Sequence, residues 1–148
     1  MAVKPPLLFT FRGPWRRIVY VAVYEGLAII LVAVALTAGD YGTTAAGITA
    51  VGSSTIAMAW NWVYNTLFER WETRQSVRGR GPLRRAIHGI GFEGGLAIWL
   101  VPFMAWTLDV SVWQALGLEV GLLLFFLAYT VVFTWVFDRL FGLPASAL

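Results

Sequence analysis

The sequence predicts an all-α integral membrane protein: four transmembrane helices forming two tandem helical hairpins, with both termini cytoplasmic. Three observations carry this prediction. Hydrophobic residues make up 59% of the 148-residue chain and the mean hydropathy is +0.72, more than a single soluble core consumes. Four apolar stretches each reach the roughly 20 residues that a helix needs to cross a bilayer. The basic residues gather at alternate ends of those stretches, the pattern that orients a multi-span chain.

Residues 1–16 contain a short apolar patch broken by Pro5, Pro6, Arg12 and Pro14. They lack a small-residue cleavage pattern and read as an interfacial, cytoplasmic lead-in rather than a removed signal peptide. Residues 17–75 form the first hairpin, with spans at Arg17–Ala38 and Thr43–Phe68. Residues 76–84, rich in Pro, Gly and Arg, are a basic cytoplasmic linker. Residues 85–148 form the second hairpin, with spans at Arg85–Leu108 and Val112–Phe141. All eleven Lys and Arg residues lie before the first span, between the second and third, or at the end of the fourth, whereas the turns at Asp40 and Asp109 carry acids only. The positive-inside rule therefore places both termini and the 70–85 region in the cytoplasm. A basic loop beside spans signals topology before it signals nucleic acid, so membrane lipid is the expected partner and nucleic acid is not. With no cysteine and a single histidine, disulfides, thiolate chemistry and a zinc-like cluster are all excluded, and no metal is expected.

The chain repeats itself. RIVYVAVYEGLAI from Arg17 aligns with RAIHGIGFEGGLAI from Arg85, and WNWVYNTLFE at residues 60–69 aligns with FTWVFDRLFG at residues 133–142. Each half contributes two spans, so both halves enter from the same side and the repeat is parallel.

Several ionisable and polar groups sit inside the spans. Glu25 lies eight positions beyond Arg17, about 12 Å into a core about 30 Å thick. An ionised carboxylate is costly there, and the cost is relieved by binding a proton or a cation. Glu93 is its copy in the third span, either a second proton or substrate carboxylate or a structural partner for His88, Arg85 or the second-span asparagines. His88, about one turn inside Arg85, is either a proton relay or a satisfied structural histidine. Ser54, Asn61 and Asn65 fall on one helical face that Ala50 continues, and that face is expected to point into the bundle. With Tyr64, the two asparagines either line a vestibule or bind helices together. Tyr24, Trp60, Tyr64, Phe92 and Phe133 present rings able to hold a lipophilic cation or to pack and anchor. Glu119, seven positions into the fourth span, is either an outward-side cation station or a water-exposed acid near the outer leaflet. Asp138 is expected to pair with its neighbour Arg139. Gly91 and Gly95, at G-x-x-x-G spacing, allow close helix contact.

The R-x-x-H-x-x-x-F-E opening (Arg85, His88, Phe92, Glu93) and the W-N-x-x-Y-N-x-x-F-E closing (Trp60, Asn61, Tyr64, Asn65, Phe68, Glu69) resemble the proteobacterial antimicrobial compound efflux family, the bacterial transmembrane pair proteins. The likeness covers nearly the whole chain. Tyr20, Phe133 and Gly142 depart from its His, Trp and acidic positions. The resemblance implies proton-coupled efflux of hydrophobic organic cations from the bacterial inner membrane, including chlorhexidine-like biocides, dyes, quaternary ammonium compounds and small diamines. It implies that Glu25 is the proton-coupling residue, and that the proton gradient supplies the energy with no cofactor. Four helices enclose little volume, so a homodimer is expected. The alternatives are a small-multidrug-resistance-like antiporter, whose charge bias is usually weaker than this one, and a non-transport membrane assembly or scaffold protein. No nucleophile–base constellation points to an enzyme.

Tags at either terminus or within residues 70–85 should be reached only from the cytoplasmic side, and labels at residues 39–41 and 109–111 only from outside. Labelling of a terminus from both sides would defeat the single orientation.

Overall fold

The structure, a computed structural model, describes residues 7–8, 13–75 and 82–142. Four helices follow one another: α1 (Gly13–Ala38), α2 (Thr43–Thr73), α3 (Pro82–Thr107) and α4 (Val112–Phe141). Among the described residues there is no strand. The helices outrun the apolar stretches that announce them. α1 begins inside the expected lead-in, α2 continues past Arg70, and α3 opens at Pro82 within the expected linker, where a proline at the first helical position forfeits no intrahelical hydrogen bond. Apolar content marks the part of a helix that lipid covers, whereas backbone hydrogen bonding continues beyond it. Residues 1–6, 9–12 and 76–81 of the lead-in and linker lie outside the described residues.

α1, α3 and α4 are long and apolar enough to cross a membrane. α2 is the longest, at 31 residues, and the most polar. The exposed surface is apolar to a degree that water does not tolerate: Trp62 is 74% exposed, Ile98 70%, Leu127 68% and Trp135 68%. Large rings and branched side chains turned outward along whole helices need an apolar solvent.

Local sequence fixes the helix ends. α1 stops where Asp40 takes a left-handed conformation (φ 65°) and the Tyr41 amide donates to the Leu36 carbonyl at 3.2 Å; α3 stops the same way at Asp109 (φ 51°), with the Val110 amide donating to the Ala105 carbonyl at 3.1 Å. Asp enters this region more readily than most non-glycine residues, and the paired bonds satisfy carbonyls that the helix end leaves orphaned. α4 opens on a reciprocal cap. The Gln114 amide donates to Ser111 Oγ at 3.2 Å while Gln114 Oε1 accepts from the Ser111 amide at 3.0 Å, the serine–glutamine form of the capping box.

The chain forms two compact units, one from the residues up to Leu31 together with those from Val120 on, the other from Val32–Glu119. In the second unit, α2 packs against α3. Its buried core runs along Val32 and Leu36 of α1, Ala46, Thr49, Ala50 and Ser53 of α2, Leu96, Leu100 and Met104 of α3, and Ala115 and Glu119 of α4. The three-and-four spacing within each set puts it on one helical face. Thr107 Oγ donates to the Phe103 carbonyl at 3.0 Å, so its single proton is spent and it accepts from Thr49 Oγ at 2.7 Å.

Glycines let α2 and α3 approach. A Cβ at Gly91 would collide with the Tyr64 hydroxyl, one at Gly95 with the Trp60 ring, and one at Gly52 with the Phe103 ring. The close contact anticipated from the G-x-x-x-G spacing is therefore ring on glycine. Gly91→Ala and Gly95→Ala should each lower stability by about 1–3 kcal/mol through overpacking. Gly94→Ala, where a Cβ meets nothing, should change it by less than about 1 kcal/mol. Thermal unfolding in detergent measures the contrast, and equal behaviour of the three variants would remove the assignment.

Candidate functional site

The motif residues gather into two clusters, one in each unit. In the unit of α2 and α3, Trp60 Nε1 donates to the Phe92 carbonyl at 2.9 Å and the Tyr64 hydroxyl donates to the His88 carbonyl at 3.1 Å. The Tyr64 ring meets Phe92 edge-on at 5.6 Å and His88 at 5.3 Å, and Phe68 meets His88 at 4.6 Å. Trp60 and Tyr64 thus spend their polar atoms on the α3 backbone while their bodies fill the glycine notches. Asn65 Nδ2 donates to the Asn61 carbonyl at 2.8 Å and to Asn61 Oδ1. Its own Oδ1 is then an acceptor, 2.9 Å from His88 Nε2, so Nε2 carries a proton and Nδ1 remains as the imidazole's second site. His88, Asn65 and Asn61 form one connected hydrogen-bond chain.

The expected polar stripe of α2 is only partly realised. Asn61 is exposed, Ser54 is half-buried, and the buried serine is its neighbour Ser53. The period of a helix sets which residues share a face, but the angle at which α2 meets its neighbours sets which edge of that face closes.

The other cluster joins α1 to α4. Tyr20 and Tyr24 reach the hydroxyls of Thr134 and Thr130 at 2.7 and 2.8 Å, and the Tyr129 hydroxyl donates to the Tyr24 carbonyl at 2.8 Å. Tyr20 lies edge-on to Phe133 and Phe137, and Tyr24 packs on Tyr129 at 4.9 Å and on Phe133 at 5.2 Å. Glu25 follows Tyr24 of this cluster in sequence and is half-buried. Ring faces of this kind are a chemistry suited to an organic cation. Tyr129 was not singled out from sequence, because it falls between the repeat motifs. Its eight-residue lead on Phe137 along the Phe133 face is the signal that could have found it.

The two clusters correspond position by position under the repeat. Tyr20 stands for His88, Tyr24 for Phe92, Phe133 for Trp60, Phe137 for Tyr64 and Asp138 for Asn65. Where α3 has Gly91 and Gly95, α1 has Val23 and Leu27, and the reach of tyrosine to threonine replaces close approach.

Asp138 pairs with Arg16, not with the expected Arg139. Arg139 is adjacent in sequence, yet on a helix neighbouring residues point about 100° apart. The same Arg16 guanidinium donates to the Gly142 carbonyl through Nε at 3.3 Å and Nη2 at 3.1 Å, and the Leu7 and Leu8 amides donate to the Arg139 and Leu140 carbonyls at 3.1 Å. These donors satisfy the carbonyls that the end of α4 leaves open.

Glu93, half-buried on α3, and Glu119, 8% exposed on α4, belong to one unit. Glu119 Oε2 is buried with no hydrogen-bond partner, which overturns the expectation of a water-exposed acid. Among the described residues, no group of His, Asp and Glu could hold a metal ion.

A family model described as chlorhexidine efflux transporter matches residues 12–74 and again residues 80–143. The chain is 37% identical to a short-chain diamines transporter of Vibrio parahaemolyticus, over 83% of this chain and 88% of that protein. It is 32% identical to a short-chain diamines transporter of Acinetobacter baylyi, over 84% of this chain and 89% of that protein, and 33% identical to one of Acinetobacter baumannii, over 84% and 87%. No solved structure matches.

Arg16→Ala should destabilise the protein by about 2–3 kcal/mol, since a charged donor serves both a carboxylate and a backbone carbonyl. Arg16→Lys should recover only part of that, because lysine lacks the fork. Denaturant titration in detergent reads both, and a neutral Arg16→Ala would show the pair to be idle.

Proposed function

Since this chain belongs to the chlorhexidine efflux transporter family, and is therefore a multi-pass membrane transport protein and not an enzyme, we propose that it exports organic cations in exchange for protons, with short-chain diamines and hydrophobic biocides as substrates. The single observation that carries the reading is the placement of Glu25, half-buried within an apolar helix and next in sequence to Tyr24 of the α1–α4 aromatic cluster. The likeness to short-chain diamines transporters supports diamines, and membership of a chlorhexidine efflux family supports biocides.

In the proposed cycle, the cation enters from the cytoplasm and displaces the proton on Glu25, because one carboxylate cannot hold both. The ring faces shield the desolvated cation. Alternating access then presents the site outward, where reprotonation releases the cation. The His88–Asn65–Asn61 chain is a route by which a proton reaches the second unit. α2 completes the four spans, its Asn65 bonded to His88 of α3, and both termini face the cytoplasm of a bacterial inner membrane. A homodimer supplies the enclosing volume that four helices lack.

The test is direct competition. Because proton and cation exclude each other at one carboxylate, apparent cation affinity should fall as the medium is acidified through the carboxyl's titration, by up to about tenfold per pH unit. Binding should release protons into weak buffer. Glu25→Gln, neutral at all pH, should abolish both effects for a singly charged organic cation in a folded protein. A Gln variant that exchanges cation for proton at the wild-type rate in proteoliposomes would move the coupling role away from Glu25.

A further inference from the structure

The acid on α4 has no part in that cycle, yet its placement is costly. Glu119 is 8% exposed in the core of the Val32–Glu119 unit, and its Oε2 meets no hydrogen-bond partner. Ser53, on α2 in the same unit, is also 8% exposed, and its Oγ is likewise unpartnered. Buried polar atoms are nearly always paired, and an exception calls for an explanation. Packing does not supply one. Under the repeat that aligns Trp60 with Phe133, the counterpart of Glu119 is Ala46, fully buried at 0%. The fold therefore fills the equivalent position with a methyl group. Nor does the hydrogen bonding of the core require the acid, since Thr49 and Thr107 satisfy each other.

The heights of these groups are ordered. Measured from the end of the unit that carries the Asp40 and Asp109 turns, Glu119 lies seven residues along α4, Ser53 ten along α2 and Glu93 fourteen back along α3. At about 1.5 Å per residue these depths are about 10, 15 and 21 Å. Two acids about 10 Å apart along the helix axes, each on a flexible arm and with an unpaired hydroxyl at a depth between them, can together present two carboxyl ends to one ligand. That is the complement of an aliphatic chain with an ammonium group at each end.

We propose that Glu119 and Glu93 hold the two ammonium groups of an α,ω-diamine, with Ser53 Oγ accepting a hydrogen bond from one of them. The assignment rests on the reading of the chain as a diamine exporter and adds to it the residues that distinguish a diamine from a monoamine. Without substrate the two carboxyls are neutral, since lipid-depth acids avoid charge by protonation. The dication displaces their two protons, so the site stays neutral and no other ion is needed.

The test compares butane-1,4-diamine with butylamine on the purified full chain in detergent, read by tryptophan fluorescence. Wild type should prefer the diamine by at least about tenfold, the scale expected for one buried ion pair. Glu119→Gln should bring that preference close to one while moving butylamine affinity by less than about threefold. Glu119→Ala, which copies Ala46 of the repeat, should do the same, and Ser53→Ala should weaken the diamine alone. Variants that keep the wild-type preference overturn the site while leaving the export reading standing. A wild-type protein that binds neither amine defeats the export reading and the site with it. Should both Glu119 variants fail to fold, infrared difference spectra in the Glu25→Gln background decide the matter. Loss of a protonated-carboxyl band on adding the diamine is expected, and an unchanged spectrum overturns the proposal.

Discussion

Lipid offers no hydrogen bonds, and every polar group placed on a span must find its partner inside the protein. The structure follows that constraint closely. Trp60 and Tyr64 donate to α3 carbonyls, Tyr20 and Tyr24 meet threonine hydroxyls on α4, Thr49 meets Thr107, and Arg16 closes the end of α4. None of these bonds is worth much against water, but each avoids the larger cost of an orphaned group in an apolar medium. Packing contributes less than it would in a soluble bundle, since lipid tails compete on equal terms for apolar side chains. Glycine notches and aromatic plugs therefore carry much of the specificity between α2 and α3.

Against so thorough a pairing, Glu119 stands apart. Glu25 and Glu93 are half-buried at corresponding positions of the repeat, and Glu119 is buried with an oxygen unsatisfied. The proposed exchange needs such groups. A carboxylate permanently neutralised by an internal cation could not exchange its partner, whereas one whose occupant comes from solution can bind a proton at one moment and an ammonium at another.

The repeat preserved contacts more faithfully than chemistry. Tyr20 touches Phe137 as His88 touches Tyr64, and Asp138 is fixed by Arg16 where Asn65 is fixed by Asn61 and His88. One copy has become an ion pair and tyrosine–threonine bridges, the other an amide–imidazole chain. Duplication of a span pair thus yielded two clusters of one shape, only one of which contains a titratable imidazole.

The number of helices, their order and the ends flanking the Asp40 and Asp109 turns were legible in the chain, because they follow from apolar length; the ends at Gly13, Thr73 and Pro82 were not, since backbone hydrogen bonding runs past the apolar stretch. The acids and the motif aromatics were also legible, since an ionisable group inside an apolar run is conspicuous wherever the helix packs. Partner choice was not. Arg16 and Asp138 are 122 positions apart, and sequence proximity pointed instead to Arg139. Helical period placed Ser54 in the stripe, but the angle at which α2 meets its neighbours buried Ser53. The same spacing that marked Gly91 and Gly95 as close-approach sites was silent on whether a backbone or a ring would occupy them. Local rules act through neighbours along the chain and fix each helix by itself; the rotation of one helix against another is decided by side chains brought together from distant positions, and only the tertiary structure contains those pairs.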